Sequence, residues 1–413
     1  MIVLIDCSNY FVRWFNLGDV ALYQAAAKRL SEIFSGAELH ILTAAPDRIR
    51  EHCSPLRPLS SDAVHARDWF APGETSRWPV DGVWPLRRTA IAMARRIDRR
   101  LLPPRLRAFV DAPQLEAYFQ TLWQSDLVLL SGGGYFTDAF ADHARGLLDT
   151  LAGAQALGRP TAIMSPGFEH MTGAAAEKAR AVLPNVRLIG CRDDTTSPEI
   201  LKAFGVPRDR VVATGDDSIE IAIAGRMQER NAIGFGLRVH AYANVDGARA
   251  KAVGAAVADV AGGAGASVIP LPINLVGPSD SASIRQALDG LDVDVDSRPD
   301  PATTAALLER VGRCRIVVTG AYHAAVFAMA MGIPVVALAA SDHYRRKFGG
   351  LASIFRNGCR VVDLAAAAPA EQIRAAALEA WDNADGLHAP MRTRAYELLG
   401  IQRAFWRRLR ELV

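Results

Sequence analysis

Eleven short apolar runs, each bounded by turn residues, recur along the chain and constrain its fold more than any other feature. Six precede residue 217: "IVLID" (2–6), "LHILTA" (39–44), "DLVLLSG" (126–132), "TAIMSP" (161–166), "VRLIGC" (186–191) and "RVVATGD" (210–216). Five follow: "AIGFGLR" (232–238), "ASVIPLP" (266–272), "RIVVTG" (315–320), "PVVALA" (334–339) and "CRVVDL" (359–364). Each is too short for a helix and too continuous for a strand with one wet face, so they predict strands buried on both faces. Segments of helical character such as "VALYQAAAKRLSEIF" and "RAKAVGAAVADVAGG" separate most of them. Strands alternating with helices imply parallel sheets covered on both sides.

At 413 residues the chain exceeds what one hydrophobic core supports. The two series therefore predict two doubly wound, Rossmann-like α/β domains facing a cleft. The expected boundary is the charged helix end in "AIAGRMQERN", giving residues 1–225 and 226–390. Residues 391–413 read as a terminal amphipathic helix lying back across the domains, with Leu398, Leu399, Phe405, Trp406 and Leu409 as its packing residues. Between about 53 and 112 the alternation lapses into an insertion dense in Pro, Trp and Arg, with eight arginines from Arg87 to Arg107. It reads either as a solvated basic helix or as a surface for an anionic lipid-linked acceptor or a membrane face.

The net charge of +3 is too small on this length to argue for bulk nucleic-acid binding. Cys7, Cys53, Cys191, Cys314 and Cys359 are scattered without C-x-x-C or zinc-type spacing, which predicts reduced thiols and no metal site. The N-terminus lacks the basic and long apolar regions of a signal peptide, and no run reaches the ~18 apolar residues of a membrane span. The expectation is a cytoplasmic protein, with peripheral contact at the inner face of the membrane left open through the 87–107 basic segment.

Several strand ends carry residues suited to chemistry. In "SGGGYFTD" (131–138), Gly132, Gly133 and Gly134 let the backbone turn sharply and approach a ligand, with Asp138 close behind. Neither G-x-G-x-x-G nor a Walker lysine is present, which counts against a dinucleotide fold and a P-loop. "NLGDVALYQAA" places Asn16, Gly18 and Asp19 at the start of a helix, as a turn with an Asp19 cap, as ligand contacts at the carboxyl end of the sheet, or as both. After later strands, Asp194, Thr195 or Thr196 reads as the cap of one helix and Asp216 or Asp217 as that of the next, and Arg192 as a phosphate or carboxylate contact. Arg238 follows the first strand of the second series, where its guanidinium can grip an anion as a bidentate fork.

Residues 317–338 read "VVTGAYHAAVFAMAMGIPVVAL": a buried strand, a helix apolar on every side, and the next strand. The one imidazole, His323, stands in the first turn of that helix beside Tyr322, where the dipole favours a neutral ring. Either it is a core histidine bonded to a carbonyl or it is catalytic, and an otherwise wholly apolar helix favours the second reading. After the following strand, "SDHYRRKFGGL" sets Arg345, Arg346 and Lys347 together as an anion site.

Taken in order, "NLGDVALYQAA", "DLVLLSGGGYFTD", "CRDDTTSPEILKAFGV" with "VVATGDD", "IGFGLRV" and "VVTGAYHAAVFAMAMGIPVVALAASDHYRRKFGGL" resemble the polysaccharide pyruvyl transferase family over nearly the whole chain outside the insertion. The resemblance implies a fold similar to the two-domain GT-B glycosyltransferases. It also implies transfer of the pyruvyl group of phosphoenolpyruvate to two hydroxyls of one sugar, giving a cyclic ketal and phosphate with no cofactor beyond that donor. The implied partners are phosphoenolpyruvate and a sugar or lipid-linked glycan of the cell envelope. By resemblance His323 matches the histidine of a G-x-R-x-H pattern, as catalytic acid or base with Asp19 or Asp138 as partner, and Arg238 matches the arginine that begins the second domain. The pattern's arginine falls on Ala321, so the donor anion needs Arg345, Arg346 or Lys347 in its place. The competing readings are a GT-B glycosyltransferase using a nucleotide sugar and a non-catalytic glycan-binding relative.

Overall fold

The computed structural model describes residues 1–6, 15–61, 84–228, 230–240, 243–277 and 279–413. Cys7 and residues 62–83 of the insertion therefore lie outside the described residues.

The chain forms two Rossmann-like units, each built on a parallel sheet. The first holds β1 (Ile2–Asp6), β2 (Glu38–Thr43), β3 (Arg57–Ser60), β4 (Leu127–Leu130), β5 (Thr161–Ile163), β6 (Leu188–Cys191) and β7 (Val211–Ala213). Their order is β3-β2-β1-β4-β5-β6-β7, every pair parallel. The second holds β8 (Ala232–Gly236), β9 (Ser267–Pro270), β10 (Ile316–Thr319), β11 (Val335–Ala339) and β12 (Cys359–Asp363) in the order β12-β11-β10-β8-β9, again all parallel. Every residue of β4, β6, β8, β10 and β11 is buried, as continuous apolar runs between two helical layers require.

All eleven apolar runs are strands, and β3 is an additional one inside the insertion. Its sequence, "RPLS", carries a proline and no fully buried side chain, tolerable because β3 is an edge strand paired with β2 alone. Trp84, Ile91 and Phe109 of the insertion, with Phe119 and Leu122 of the helix that follows it, form a satellite core against Leu4, Leu42 and Val128 of the first sheet.

The terminal helix runs unbroken from Pro369 to Leu409, so it starts well before residue 391 and contains Pro390. Proline lacks the amide of one helical bond, but buried Ala376, Ala380, Ala384, Met391 and Ala395 hold both sides of that break in place. Its early turns pack on β10, β11 and β12. Its last turns return to the first unit, where Gln402 donates to the Asp216 carbonyl at 2.7 Å and Arg408 to that of Asp209 at 3.2 Å. One buried apolar cluster accordingly extends from the first sheet through the second to Leu398, Phe405, Trp406 and Leu409. Among the described residues no helix is long and apolar enough to cross a membrane.

Candidate active site

Each sheet reverses its strand order once, between β1 and β4 and between β8 and β10. Open α/β sheets bind ligands outside the carboxyl ends of the strands at such points. Asn16, Gly18 and Asp19 follow β1, and Gly132 to Gly134 follow β4. Arg238 follows β8, while Tyr322 and His323 follow β10.

The two units meet over this crevice. Leu17 N–H donates to the Ile273 carbonyl at 2.9 Å and Leu275 N–H to the Phe15 carbonyl at 3.0 Å, which ties the start of the Leu17–Ile33 helix to the loop after β9. The Asn16 side chain accepts from the N–H groups of Gly18 and Asp19 at 2.9 and 3.2 Å. Asn16, not Asp19, is thus the cap, and the Asp19 carboxyl is left to the crevice. Gly18 lies directly under His323: a Cβ there would overlap Nδ1 and Cγ of the imidazole. Glycine is what allows a ring from the second unit to rest on the first turn of a helix in the first.

His323 Nε2 lies 3.8 Å from Oδ2 of Asp216, and Arg192 Nη2 lies 3.6 Å from the same oxygen. The Arg192 guanidinium stands 4.7 Å over the Tyr322 ring, and Lys347 Nζ stands 4.8 Å from that ring's centre. Arg192, Asp216 and His323 are only 4%, 1% and 8% exposed. Nevertheless Arg192 Nε and Nη2, Asp216 Oδ2 and His323 Nε2 make no hydrogen bond among the described residues. Buried polar atoms are normally paired, so a cluster of unpaired ones is the signature of a site that completes itself with a ligand.

Protonation states follow from the same packing. Burial pushes the Asp19 carboxyl up to about 6, with Asp216 adding to the rise and Lys347, Arg192 and Arg238 opposing it. Burial lowers His323 to about 4, aided by Arg192, Lys347 and Arg238 against the pull of Asp216. Lys347 falls to about 8 through burial and the neighbouring Arg192 charge. Burial also acts to raise Asp216, but Arg192, His323 and the Ser218 hydrogen bonds hold its carboxyl below the ordinary range. At neutral pH the site thus holds a neutral imidazole beside an ionised Asp216, and Asp19 close to its own titration.

Not every candidate joins this cluster. Gly134 faces it: a Cβ there would lie 3.4 Å from Lys347 Nζ and 3.7 Å from Arg192 Nη1. Gly132 packs under Ser165, and the Gly133 carbonyl accepts from Gly167 N–H at 2.9 Å. Asp138 is turned away, accepting from the amide and hydroxyl of Thr172 at 2.7 and 3.1 Å. Arg345 likewise pairs with Asp342, and with Asp363 at 2.8 Å. Alternate side chains of a helix, here Asp342–Phe355, point to different sides, so Arg345 and Lys347 do not act together. Arg346 sits at the rim, bonded with His343 to Glu169 of the first unit. Arg238 donates from Nε and Nη2 to buried Asp280 at 2.6 and 3.1 Å, and Asp280 also accepts from Ile273 and Asn274 N–H.

The residue that sequence reasoning undervalued is Asp216. Its Oδ1 does accept from Ser218 N–H at 3.0 Å, as a cap would, while Oδ2 faces Arg192 and His323. Neighbouring Asp217 is buried and pushed up to about 7, chiefly by burial and by the charges of Asp216 and Glu220. Two carboxylates directly after a strand were a visible signal, but the partner across the domain boundary was not. Among the described residues no group of three or more His, Cys, Asp or Glu is arranged to hold a metal ion.

A family model described as polysaccharide pyruvyl transferase matches residues 16–342, from the Asn16 cap to the start of the Lys347 helix. The chain belongs to that family. Family membership makes it a transferase. No curated protein matches it significantly. Among solved structures, Anabaena Alr3699/HepE in complex with UDP is similar at 13% identity and TM-score 0.56, with 99% of each chain covered. The UDP-GlcNAc 2-epimerase from Neisseria meningitidis bound to UDP-GlcNAc is similar at 11% identity and TM-score 0.52, covering 97% of this chain and 99% of that one. That from Methanocaldococcus jannaschii is similar at 8% identity and TM-score 0.54, with 97% and 98% covered. These likenesses establish a shared GT-B-like architecture.

Proposed function

We propose that this family member transfers the pyruvyl group of phosphoenolpyruvate to two hydroxyls of one sugar in a glycan, forming a cyclic ketal and releasing phosphate. The observation that carries this reading is the pair Arg192 and Lys347, which converge beside Gly134 on the Tyr322 ring with two guanidinium nitrogens unpaired. Phosphoenolpyruvate presents a phosphate and a carboxylate, and a buried guanidinium with open donors beside a half-buried ammonium suits both. In this reading Arg192, reaching in from the first unit, supplies the charge that Ala321 does not.

The chemistry divides between an acid and a base. A proton adds to the methylene carbon of the donor while the oxygen of the first sugar hydroxyl bonds to the central carbon, leaving a tetrahedral phosphoketal. Phosphate then departs with the carbon–oxygen bonding pair, and the second hydroxyl closes on the same carbon and gives up its proton. Neutral His323, next to ionised Asp216, suits the base that takes a hydroxyl proton. Asp19, raised to about 6, suits the acid, and the negative donor raises it further.

A nucleotide-sugar donor is the second reading, since two of the structural neighbours named above carry UDP or UDP-GlcNAc. Against it, no acidic residue that would hold a ribose occurs between Arg310 and Ser341. The deciding experiment is a thermal-shift titration with phosphoenolpyruvate, UDP-sugars and GDP-sugars on the wild type, Arg192→Ala and Lys347→Ala, followed by phosphate release over a panel of sugars. Stabilisation by phosphoenolpyruvate alone, lost in both variants, is expected. A response to a nucleotide sugar instead overturns the donor assignment, and glycan binding without phosphate release overturns the catalytic one.

A further inference from the structure

The helix Trp84–Ala94 and the short 3-10 turn Arg99–Leu101 lie away from the cluster just described, on the outer side of the insertion's satellite core. Trp84, Ile91 and Ala94 point inward. At 100° per residue Leu86 and Met93 fall on nearly the opposite side of the helix from Trp84 and Ile91. They are 72% and 62% exposed, and Ile97 and Leu101 beyond them are 51% and 77% exposed. Four large apolar side chains within sixteen residues thus stand in water, while most other segments of the described surface offer one or none.

Arginine surrounds them. Arg88 and Arg95 fold inward onto Glu116, and Arg99 pairs with Asp111. Arg96 and Arg100 form no ion pair among the described residues. Glu116 and Asp111 are therefore spent on the inner arginines, while exposed Asp98 accepts from the Arg100 N–H as the cap of the Arg99–Leu101 turn, and the outer side combines apolar side chains with a net positive charge. A protein partner's groove calls for a contiguous apolar stripe. Separate apolar side chains interleaved with arginines instead match the boundary of an anionic bilayer, where the apolar groups enter the acyl region and guanidinium groups stay with the phosphates.

We propose that residues 84–101 form a docking face for an anionic lipid bilayer, with Leu86, Met93, Ile97 and Leu101 inserting and Arg96 and Arg100 contacting headgroup phosphates. Docking there is a separate event from filling the crevice at Arg192 and Lys347, so it does not depend on which donor the protein uses.

The test is flotation of the full-length protein with vesicles of phosphatidylcholine alone or with 30% phosphatidylglycerol, a composition of about that order being enough for polybasic binding. Wild type is expected to float with the anionic vesicles only. Leu86→Ser/Met93→Ser should reduce the partition coefficient by roughly tenfold or more, and Arg96→Glu/Arg100→Glu by a similar factor together with loss of salt sensitivity. Unchanged melting temperatures establish that both variants are folded. Failure of wild type to float overturns the proposal. Flotation that the serine variant retains in full also overturns it, since binding is then charge alone, and a concentration-dependent dimer that buries these residues and excludes vesicles assigns the face to a second copy of the chain.

Discussion

Gly18 and His323 are 305 positions apart in the chain, yet the first has no side chain because the second occupies its place. Gly18→Ala is accordingly expected to displace the imidazole while leaving a helix that alanine favours. Turnover should fall by roughly a hundredfold, as small displacements of catalytic groups do, with far-ultraviolet circular dichroism unchanged. Full activity in this variant, measured as phosphate release, would remove His323 from the mechanism. Asp19 gives a prediction in pH. Its folded value of about 6 lies above the ordinary 3.8, so the folded state binds the extra proton. That contribution to stability is complete below 3.8 and is lost as pH rises through about 6. The rise corresponds to about 3 kcal/mol, so Asp19→Asn should be more stable than wild type by up to that amount at pH 8 and not at pH 4, as urea titrations at the two pH values will read. His323 was legible in the sequence as a lone polar group in an apolar helix. Asp216 was not, because one of its oxygens does what a cap does and only the fold brings Arg192 and His323 to the other.

At the scale of elements, strand periodicity was legible because buried parallel strands are nearly pure apolar runs. What escaped it were β3, whose half-buried edge position needs few apolar residues, and the first half of the terminal helix, whose Pro390 resembles a boundary. The Asp342–Phe355 helix shows why the cations that follow β11 could not be ranked from sequence. Its neighbours on the first unit decide the matter: Ser353 donates to Asp194 at 2.7 Å, and Gly350 packs on Asp193, the residue that caps Thr195 and Ser197. A Cβ at Gly350 would lie 2.7 Å from Cβ of Asp193, whereas one at Gly349 meets nothing within 4 Å. Gly349→Ala should therefore raise stability by about 0.5–1 kcal/mol through helix propensity, without altering donor affinity. Gly350→Ala should push the helix, and Lys347 with it, off the first unit and weaken donor binding about tenfold. Equal effects of the two substitutions in calorimetric titration would show that this contact does not set the position of Lys347.

Among the described residues the two units meet through the bonds from Phe15 and Leu17 to Ile273 and Leu275, the Lys347 helix against Glu169, Asp193 and Asp194, the Tyr322–Ala330 helix against the Ile219–Ala222 helix, and the end of the terminal helix on the first unit. The bonds at Phe15 and Leu17 and those of the Lys347 helix border the crevice, so a ligand between the units can loosen or tighten them. The terminal-helix contact is largely apolar and distant in sequence from the chemistry, yet it reaches the back of the site. Phe405 packs near Gly190, Leu398 near Gly215, and Gln402, 1% exposed, bonds the carbonyl of Asp216 itself. Burying Phe405 and Trp406 contributes about 3–5 kcal/mol each by analogy with aromatic truncations in cores. That adds to the apolar contact of the Ile219–Ala222 helix with the Tyr322–Ala330 helix in coupling the two units, and cooperative unfolding of a two-unit chain depends on such coupling. Phe405→Ala/Trp406→Ala is expected to replace one calorimetric transition with two, the lower belonging to the unit that loses its cover. Turnover should fall as well, because the Asp216 loop loses its support from behind. A single transition at a uniformly lower temperature, with turnover intact, would mean that the other contacts between the units suffice to unite the two halves and that the long helix is only a cover for the second.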